Sequence, residues 1–196
     1  MHEGLMSFKL GLRGISSLSE ELIVSRDIEL ARKTNCPIHF LHISSTRSLQ
    51  LIAQAKDQGI PITAGIKLEN LIYSDLKCDN FNSQNKFFPP LRSTEDLKSL
   101  QEGARSGIID NISLGLYPIE NGDQCFQNSP FTSLSFKDYI PALINEVLQK
   151  EILSVEQLTI LLTTNPRKIF QFNEPITSIN INNETLRVNF KENLGV

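Results

Sequence analysis

The pattern that most restricts the fold of this chain is a repeated order of amphipathic helix, glycine or proline, and short β-branched strand. Residues 17–33 alternate apolar and polar faces at the helical period of about 3.6 residues, and Pro37 ends that register. A predicted strand over 38–43 follows at once, and the same order returns in a helix from Thr46 and a strand over 62–67. Successive units of this kind form parallel strands joined by crossover helices. The sequence therefore predicts an α/β fold, as part of a barrel or of a doubly wound sheet.

The remaining segments are less regular. We predict an irregular segment over residues 1–15 and a long loop over 68–93, of a length that is typical of binding loops and lids. Further helices are predicted from Ser93 to about Ser106 and at roughly 136–149, 154–163 and 165–171. Further strands are predicted over 108–116 and, in an Asn-rich and Ile-rich tail, over 185–190.

Composition narrows the classes of partner. The 196 residues carry a net charge of -3, so there is no broad positive field for nucleic acid or an anionic membrane. No apolar run approaches the roughly 18 residues that span a bilayer, and the first residues lack a signal-peptide pattern. We therefore expect a cytoplasmic protein. Cys36, Cys78 and Cys125 are far apart, which predicts free thiols rather than a disulfide framework or a zinc finger.

The histidine that follows the first predicted strand is the first candidate for chemistry. His42 precedes Ser44 and Ser45, and strand ends in α/β units are where active sites usually form. His39 and His42 lie three residues apart on a strand, so they point to opposite faces and cannot share one metal ion. The chain has one further histidine, His2. A catalytic zinc site needs about three protein ligands, and the spacing of the three histidines does not indicate one. A hydrogen-bonded structural histidine is the simpler interpretation, with both serines capping the next helix.

Arg92 is the best candidate for holding an anionic ligand. It follows Pro89-Pro90, and a guanidinium group can bind a carboxylate through two parallel hydrogen bonds. A helix-capping or surface arginine before Ser93 explains the residue equally well. The sequence contains no phosphate-binding glycine loop and no G-x-S-x-G motif. The residues alone thus indicate an α/β protein with an incomplete site.

Several short fragments in one order carry a resemblance to a known family. They include Leu10-Gly-Leu-x-Gly-Ile15, His39-x-x-His-Ile-Ser44, Pro89-Pro-Leu-Arg-Ser93 and Thr164-Asn-Pro-x-x-Ile-Phe170. Together they resemble the dihydroorotase family of the amidohydrolase superfamily, over about residues 1–172. The resemblance implies a partial (β/α)8 barrel made of about the last three to four βα units. It leaves 173–196 as a tail from a small β subdomain.

The resemblance also implies what has happened to the site. His42 matches the sixth-strand metal ligand of the family and is the one ligand that carries over, which makes it vestigial and insufficient alone. The catalytic aspartate of the family is replaced by Gly115, and the histidines after it are lost. Phe88 replaces an asparagine that contacts substrate, and Lys67–Asn70 replace a proline-histidine-histidine run. We therefore predict no catalytic residue, with Arg92 as a substrate-binding candidate.

Three hypotheses for function follow from the resemblance. The leading one is a catalytically inactive dihydroorotase-like protein of pyrimidine biosynthesis that acts as a structural partner of aspartate carbamoyltransferase, as inactive relatives in this family do. It needs no cofactor. The second is an active zinc-dependent dihydroorotase, and the third is a non-functional truncated relic. Because a part-barrel leaves sheet edges unpaired, we also expect self-association.

Overall fold

A computed structural model describes residues 1–115 and 125–172, together with the backbone of 176–181 and 186–190. Its centre is a three-stranded parallel sheet in which the strands lie side by side in chain order. The strands are β1 (Ile38–Phe40), β2 (Ile62–Lys67) and β3 (Asn111–Ser113). The register pairs His39 with Thr63 and Ile66 with Ile112. The predicted α/β fold with parallel strands is therefore confirmed.

Helices connect and cover these strands. They are α1 (Leu5–Leu10), α2 (Leu18–Thr34), α3 (Thr46–Asp57), α4 (Leu68–Ile72), α5 (Thr94–Arg105), α6 (Phe136–Ala142), α7 (Val155–Thr159) and α8 (Asn165–Ile169). π-Helical turns over Leu143–Leu148 and Ile160–Thr164 continue α6 and α7. The predicted helices over 17–33, from Thr46, from Ser93 and in the segment 136–171 are all present.

Side-chain caps determine where two crossover helices begin. The Ser45 hydroxyl accepts a hydrogen bond from the Ser48 N–H at 3.1 Å at the start of α3. The Ser93 hydroxyl does the same for the Asp96 N–H at 3.1 Å at the start of α5. Each cap satisfies a backbone donor that the first helical turn cannot satisfy itself. Both caps are local in sequence, which is why the two starts are predictable.

Two segments predicted to be irregular contain helices. Residues 1–15 include α1, because the Ser7 hydroxyl donates to the Gly4 carbonyl at 2.9 Å and accepts from its N–H at 3.0 Å. The predicted loop over 68–93 begins with α4, whose five residues are all buried, and contains two 3-10 turns. Burial against the core is thus what makes the start of this loop helical.

The first predicted strand is shorter than expected. β1 ends at Phe40 rather than at residue 43, although the Ile43 N–H still donates to the Gly65 carbonyl of β2 at 2.9 Å. The N–H groups of Ser44 and Ser45 donate to the Glu20 carboxylate at 2.9 and 3.1 Å. The chain therefore leaves the sheet direction at the point where it meets α2.

The third predicted strand is also shorter. β3 covers three residues of the predicted range 108–116, and residue 116 lies outside the described residues. Asp110 joins this segment to β2, since its N–H donates to the Ala64 carbonyl at 2.7 Å and its carboxylate accepts from the Ala64 N–H at 2.7 Å.

The main core lies between the sheet and the helices. Its most deeply buried members are apolar side chains from β2, the helices around it and the segments that flank β1 and β3, namely Ala31, Ile43, Ile52, Ala64, Ile66, Leu68, Leu71, Leu100, Ile109, Leu143, Val147 and Leu158. A smaller cluster joins the N-terminal segment to the segment before α5 and contains Met1, Met6, Cys78, Phe87, Leu91 and Phe126. The N-terminal residues thus pack against the segment 73–92.

The tail contains two antiparallel strands where the sequence predicted one. They are β4 (Ile176–Ile181) and β5 (Leu186–Phe190), and the second matches the predicted strand over 185–190. The division into 1–172 and a separate tail stays a prediction. Among the described helices, none is both long and apolar enough to cross a membrane.

Candidate site at the carboxyl ends of the parallel strands

The three strands deliver three residues to one edge of the sheet. His42 follows β1 by two residues, Lys67 is the last residue of β2, and Gly115 follows β3 by two residues. The carboxyl ends of parallel strands meet at the same edge, where α/β proteins commonly bind ligands. The predicted metal ligand and the predicted catalytic position are therefore brought together, with a lysine between them.

Lys67 is a buried lysine at this edge. Its side chain is 1% exposed, and its Nζ donates to the Phe88 carbonyl at 2.8 Å. Burial lowers the pKa of Lys67, while the nearby Glu69 carboxylate acts in the opposite direction. A lysine is almost never fully buried unless its charge is paired, so the neighbours of Lys67 must stabilise it in the core.

Gly115 leaves the space that the lysine occupies. A Cβ atom added at residue 115 would lie 2.0 Å from Lys67 Nζ and 2.2 Å from Lys67 Cε. An aspartate at this position therefore requires the lysine to move. The two residues are 48 positions apart in sequence, and only the β2 and β3 pairing places them in contact.

His42 is a partly buried, neutral imidazole. Burial is the largest cause that lowers its pKa to about 4, and the charge of Lys67 adds to the effect. At neutral pH the ring is therefore uncharged. It lines an open cavity of about 300 Å³ together with Ile15, Glu20, Phe40, Leu41 and Phe88.

The residues at the strand ends do not fit the zinc centre that the resemblance implies. Within residues 1–115 and 125–172, no group of three His, Cys, Asp or Glu side chains is placed to hold a metal ion. His42 is one imidazole, its neighbour Lys67 is a cation, and Gly115 has no side chain. A zinc site needs about three protein ligands, so this edge of the sheet supplies too few.

The residues that replace the proline-histidine-histidine run form hydrogen bonds with the backbone of neighbouring segments. The Glu69 side chain is fully buried, and its Oε1 accepts from the Leu134 N–H at 2.8 Å. The Asn70 amide donates to the Pro90 carbonyl at 3.1 Å. Both side chains therefore hold neighbouring segments of the chain at the strand ends.

Arg92 lies in a buried network, neither at the surface nor in a helix cap. Its side chain is 3% exposed, Nε donates to Ser44 Oγ at 3.0 Å, and Nη1 donates to the Ile15 carbonyl at 2.7 Å. Its Nη2 lies 3.8 Å from the Glu20 carboxylate. Nη1 also lies 3.2 Å from Nδ1 of His2. The interpretation as a capping or surface arginine is therefore wrong.

The same network corrects the interpretation of Ser44. Its hydroxyl donates to the Glu20 carboxylate and accepts from Arg92, so it does not cap α3. The cap comes from Ser45 alone. Sequence reasoning missed Glu20 because an acidic residue in a first helical turn already has a local explanation in the helix dipole. In the sequence, Lys67 belongs to the run that replaces the proline-histidine-histidine run, and a charged residue that ends a buried strand is itself a signal of a site.

Comparisons of sequence support the resemblance. No family model matches the chain. It is 36% identical over 172 residues to the dihydroorotase of Endomicrobium trichonymphae, a match that covers 87% of this chain and 41% of that protein. It is 33% identical over 173 residues to the dihydroorotase of Carboxydothermus hydrogenoformans, covering 87% of this chain and 40% of that protein. The chain thus spans about two fifths of the length of these relatives.

Comparisons of structure show similarity of fold. Dihydropyrimidinase from Brevibacillus agri superposes with a TM-score of 0.72 at 19% identity, over 80% of this chain and 36% of that one. The inactive dihydroorotase-like domain of a CAD-like multifunctional protein from Chaetomium thermophilum superposes with a TM-score of 0.54 at 20% identity. That match covers 78% of this chain and 42% of that one. At these identities the structures establish similarity of fold alone.

Proposed function

Because this chain is a relative of the dihydroorotases, we propose that it is a dihydroorotase-like protein of pyrimidine biosynthesis that has no catalytic activity and acts as a structural partner of aspartate carbamoyltransferase. We also propose that its sheet is part of a (β/α)8 barrel. The parallel strands in chain order and the superposition on dihydropyrimidinase support that architecture. The observation that carries the loss of catalysis is the buried ammonium group of Lys67 beside Gly115.

Opening or closing a cyclic amide needs a group that takes a proton from the attacking water. The three strand ends offer no efficient group for this task. Gly115 has no side chain, and a protonated Lys67 has donors but no acceptor. His42, with a pKa lowered to about 4, is a poor base at neutral pH because catalytic bases work best with a pKa near the working pH.

For Arg92 we propose a structural role in place of substrate binding. Its Nε and Nη1 groups already donate to Ser44 and to the Ile15 carbonyl, and Glu20 neutralises its charge. A buried and compensated guanidinium group attracts an external carboxylate less than a free one does. The network therefore accounts for Arg92 without a ligand.

The first test is an activity assay of the purified chain. We expect no turnover of dihydroorotate or of carbamoyl aspartate above background, with or without added zinc, under conditions in which an authentic dihydroorotase is active. Stoichiometric zinc together with turnover would establish the alternative, an active zinc-dependent dihydroorotase.

Gly115→Asp tests the assignment of the site. We expect no rescue, because one imidazole and one carboxylate still fall short of the roughly three ligands that zinc requires. The assay is turnover of the G115D variant with added zinc, with unmodified chain as the control. Measurable rescue would show that the assignment of the ligands is wrong.

The second test concerns the partner. Sedimentation of the chain mixed with aspartate carbamoyltransferase from the same organism is expected to give a new, larger boundary that contains both proteins. Leu5 and Phe8 are 85% and 87% exposed on one face of α1 and are candidate contacts. The double variant L5S/F8S should weaken the new boundary, whereas V155S, at a 54% exposed position on α7, should not. Independent sedimentation would favour the relic.

A further inference from the structure

We infer that Lys67 is the cation that occupies this site. Its side chain fills the space that a side chain on residue 115 would need, and it holds residues 88–92 across the strand ends. The site therefore lacks a side chain at residue 115, and Lys67 occupies the space in its place. The inference deepens the proposed loss of catalysis and rests on it, but its test measures packing instead of turnover.

The first argument is spatial. The end of a lysine side chain usually yields to a neighbour at small cost, because four rotatable bonds allow it to move. Here the side chain is 1% exposed and Nζ is bonded to the Phe88 carbonyl, so a displaced ammonium group would lose that bond inside the core. A Cβ at residue 115 would lie 2.0 Å from Nζ. Residue 115 can therefore carry a side chain without cost only if Lys67 is also changed.

The second argument is the bonding of residues 88–92. Three donors, one at the end of β2 and two after it, hold three carbonyl groups of this segment. Lys67 Nζ donates to Phe88 at 2.8 Å, Asn70 Nδ2 to Pro90 at 3.1 Å, and the Asp75 N–H to Arg92 at 2.8 Å. Lys67 supplies the charged donor of the three, and charge-assisted hydrogen bonds are the stronger kind. It is therefore the principal fastener at the Phe88 end.

The third argument is the position of the charge. The ammonium group sits at the meeting point of three strand ends, beside the one imidazole that matches a metal ligand of the family. Like charges at a few ångströms repel strongly where water is excluded. In its protonated form, a lysine held at this place therefore opposes the entry of a second cation.

A double-mutant cycle tests the spatial dependence. Gly115 does not have a positive φ, so alanine suits its backbone, and the cost of Gly115→Ala comes from Lys67 alone. We expect G115A to lower the melting temperature by about 5 °C in the natural background and by about 1 °C or less in a K67A background. Equal losses in the two backgrounds would overturn the inference.

Gly103→Ala provides the matched control. A Cβ at residue 103 would lie 2.6 Å from Leu49 Cδ1, which is also a buried clash but does not involve Lys67. Its loss of melting temperature should be the same with and without K67A. A coupling of G103A to K67A as large as that of G115A would mean that K67A loosens the core generally, and would also overturn the inference.

Hydrogen exchange decides the matter if K67A does not fold. The Asp75 amide reports on residues 88–92 through its bond to Arg92, and the Ile66 amide in β2 serves as the internal reference. In G115A we expect exchange at Asp75 to rise about tenfold relative to Ile66, because a displaced lysine releases Phe88. An unchanged ratio, as expected for G103A, would refute the fastening role. Turnover by the natural chain would defeat the proposed inactivity while leaving these measurements unaffected.

Discussion

Arg92 and Glu20 show how a buried arginine and a partly buried carboxylate join distant parts of the chain. Glu20 belongs to α2, Arg92 precedes α5, and Ser44 between β1 and α3 bonds to both. The Ile15 carbonyl adds the N-terminal segment to the same network. Removing one partner of a buried pair leaves the other charge without compensation, which costs more than the pair itself contributes.

Arg92→Met should therefore destabilise the fold strongly. We expect a loss of about 3 kcal/mol in the free energy of unfolding, because the partly exposed Glu20 loses its cation and the Ser44 hydroxyl and Ile15 carbonyl lose a buried donor. Arg13→Met, at an exposed arginine, should change it by less than about 0.5 kcal/mol. Urea denaturation measures both. Similar losses in the two variants would mean that the network contributes little.

The three cysteines should differ sharply in reactivity. Cys36 and Cys125 are exposed, whereas Cys78 is 2% exposed and burial raises its pKa to about 11. The thiolate is the reactive form, so a thiol reagent at pH 8 should titrate two cysteines quickly and the third only in denaturant. Fast reaction of three thiols, or loss of a fast one in C78S, would contradict the burial of Cys78.

The same shift has a consequence for stability. The ordinary pKa of the thiol is 9.0, and the folded protein holds the Cys78 proton up to a higher pH than the unfolded chain does. The contribution of Cys78 to stability is therefore complete below pH 9 and is lost as the pH rises towards about 11. Substitution by serine should reduce the fall of melting temperature in this window.

At the scale of elements, Asp110 fastens a helix and two strands together. Its carboxylate accepts from Lys56 Nζ of α3 at 2.6 Å and from the Ala64 N–H of β2 at 2.7 Å. Asp110 itself directly precedes β3. One side chain thus sets the position of β3 relative to β2 and the helix that connects β1 to β2.

Asp110→Ala should loosen this junction. We expect a loss of about 2 kcal/mol in the free energy of unfolding, because the Ala64 N–H loses its acceptor and Lys56 keeps only the Ile108 carbonyl. Asp57→Ala, one residue after Lys56 at an exposed position, should have little effect. Chemical denaturation with both variants is the measurement, and an equal response would show that the junction is not held by Asp110.

At the scale of the whole molecule, the described chain leaves apolar surface open. β1 and β3 form the two edges of the three-stranded sheet, and within the described residues neither edge carries a further strand. On α2, Leu18 and Leu22 lie one turn apart and are 59% and 67% exposed. Open edges and clustered apolar side chains favour association between chains.

Self-association of the isolated chain is therefore expected. The weight-average mass in sedimentation should rise with concentration, and the double variant L18S/L22S should reduce that rise. Val155→Ser, at a 54% exposed position on α7, is the matched control and should leave the rise unchanged. A chain that stays monomeric at all concentrations would show that these surfaces do not mediate association between chains.

The sequence alone determined the local features of this protein. The α2, α3 and α5 helices, the caps at Ser45 and Ser93, and the order of the strands follow from periodicity and from residues three or four positions apart. His42 was also identified from its place after a strand. These features depend on neighbours in the chain, so they can be read without knowing the fold.

The tertiary structure decided what depends on contacts between distant residues. Lys67 meets Gly115 only because β2 pairs with β3, and Glu20 meets Ser44 and Arg92 only because α2 packs beside β1. Neither contact has a period or a spacing that marks it in the sequence. Beyond β1, the N–H groups of Ser44 and Ser45 likewise donate to Glu20 of α2, a contact that no local pattern in the sequence predicts.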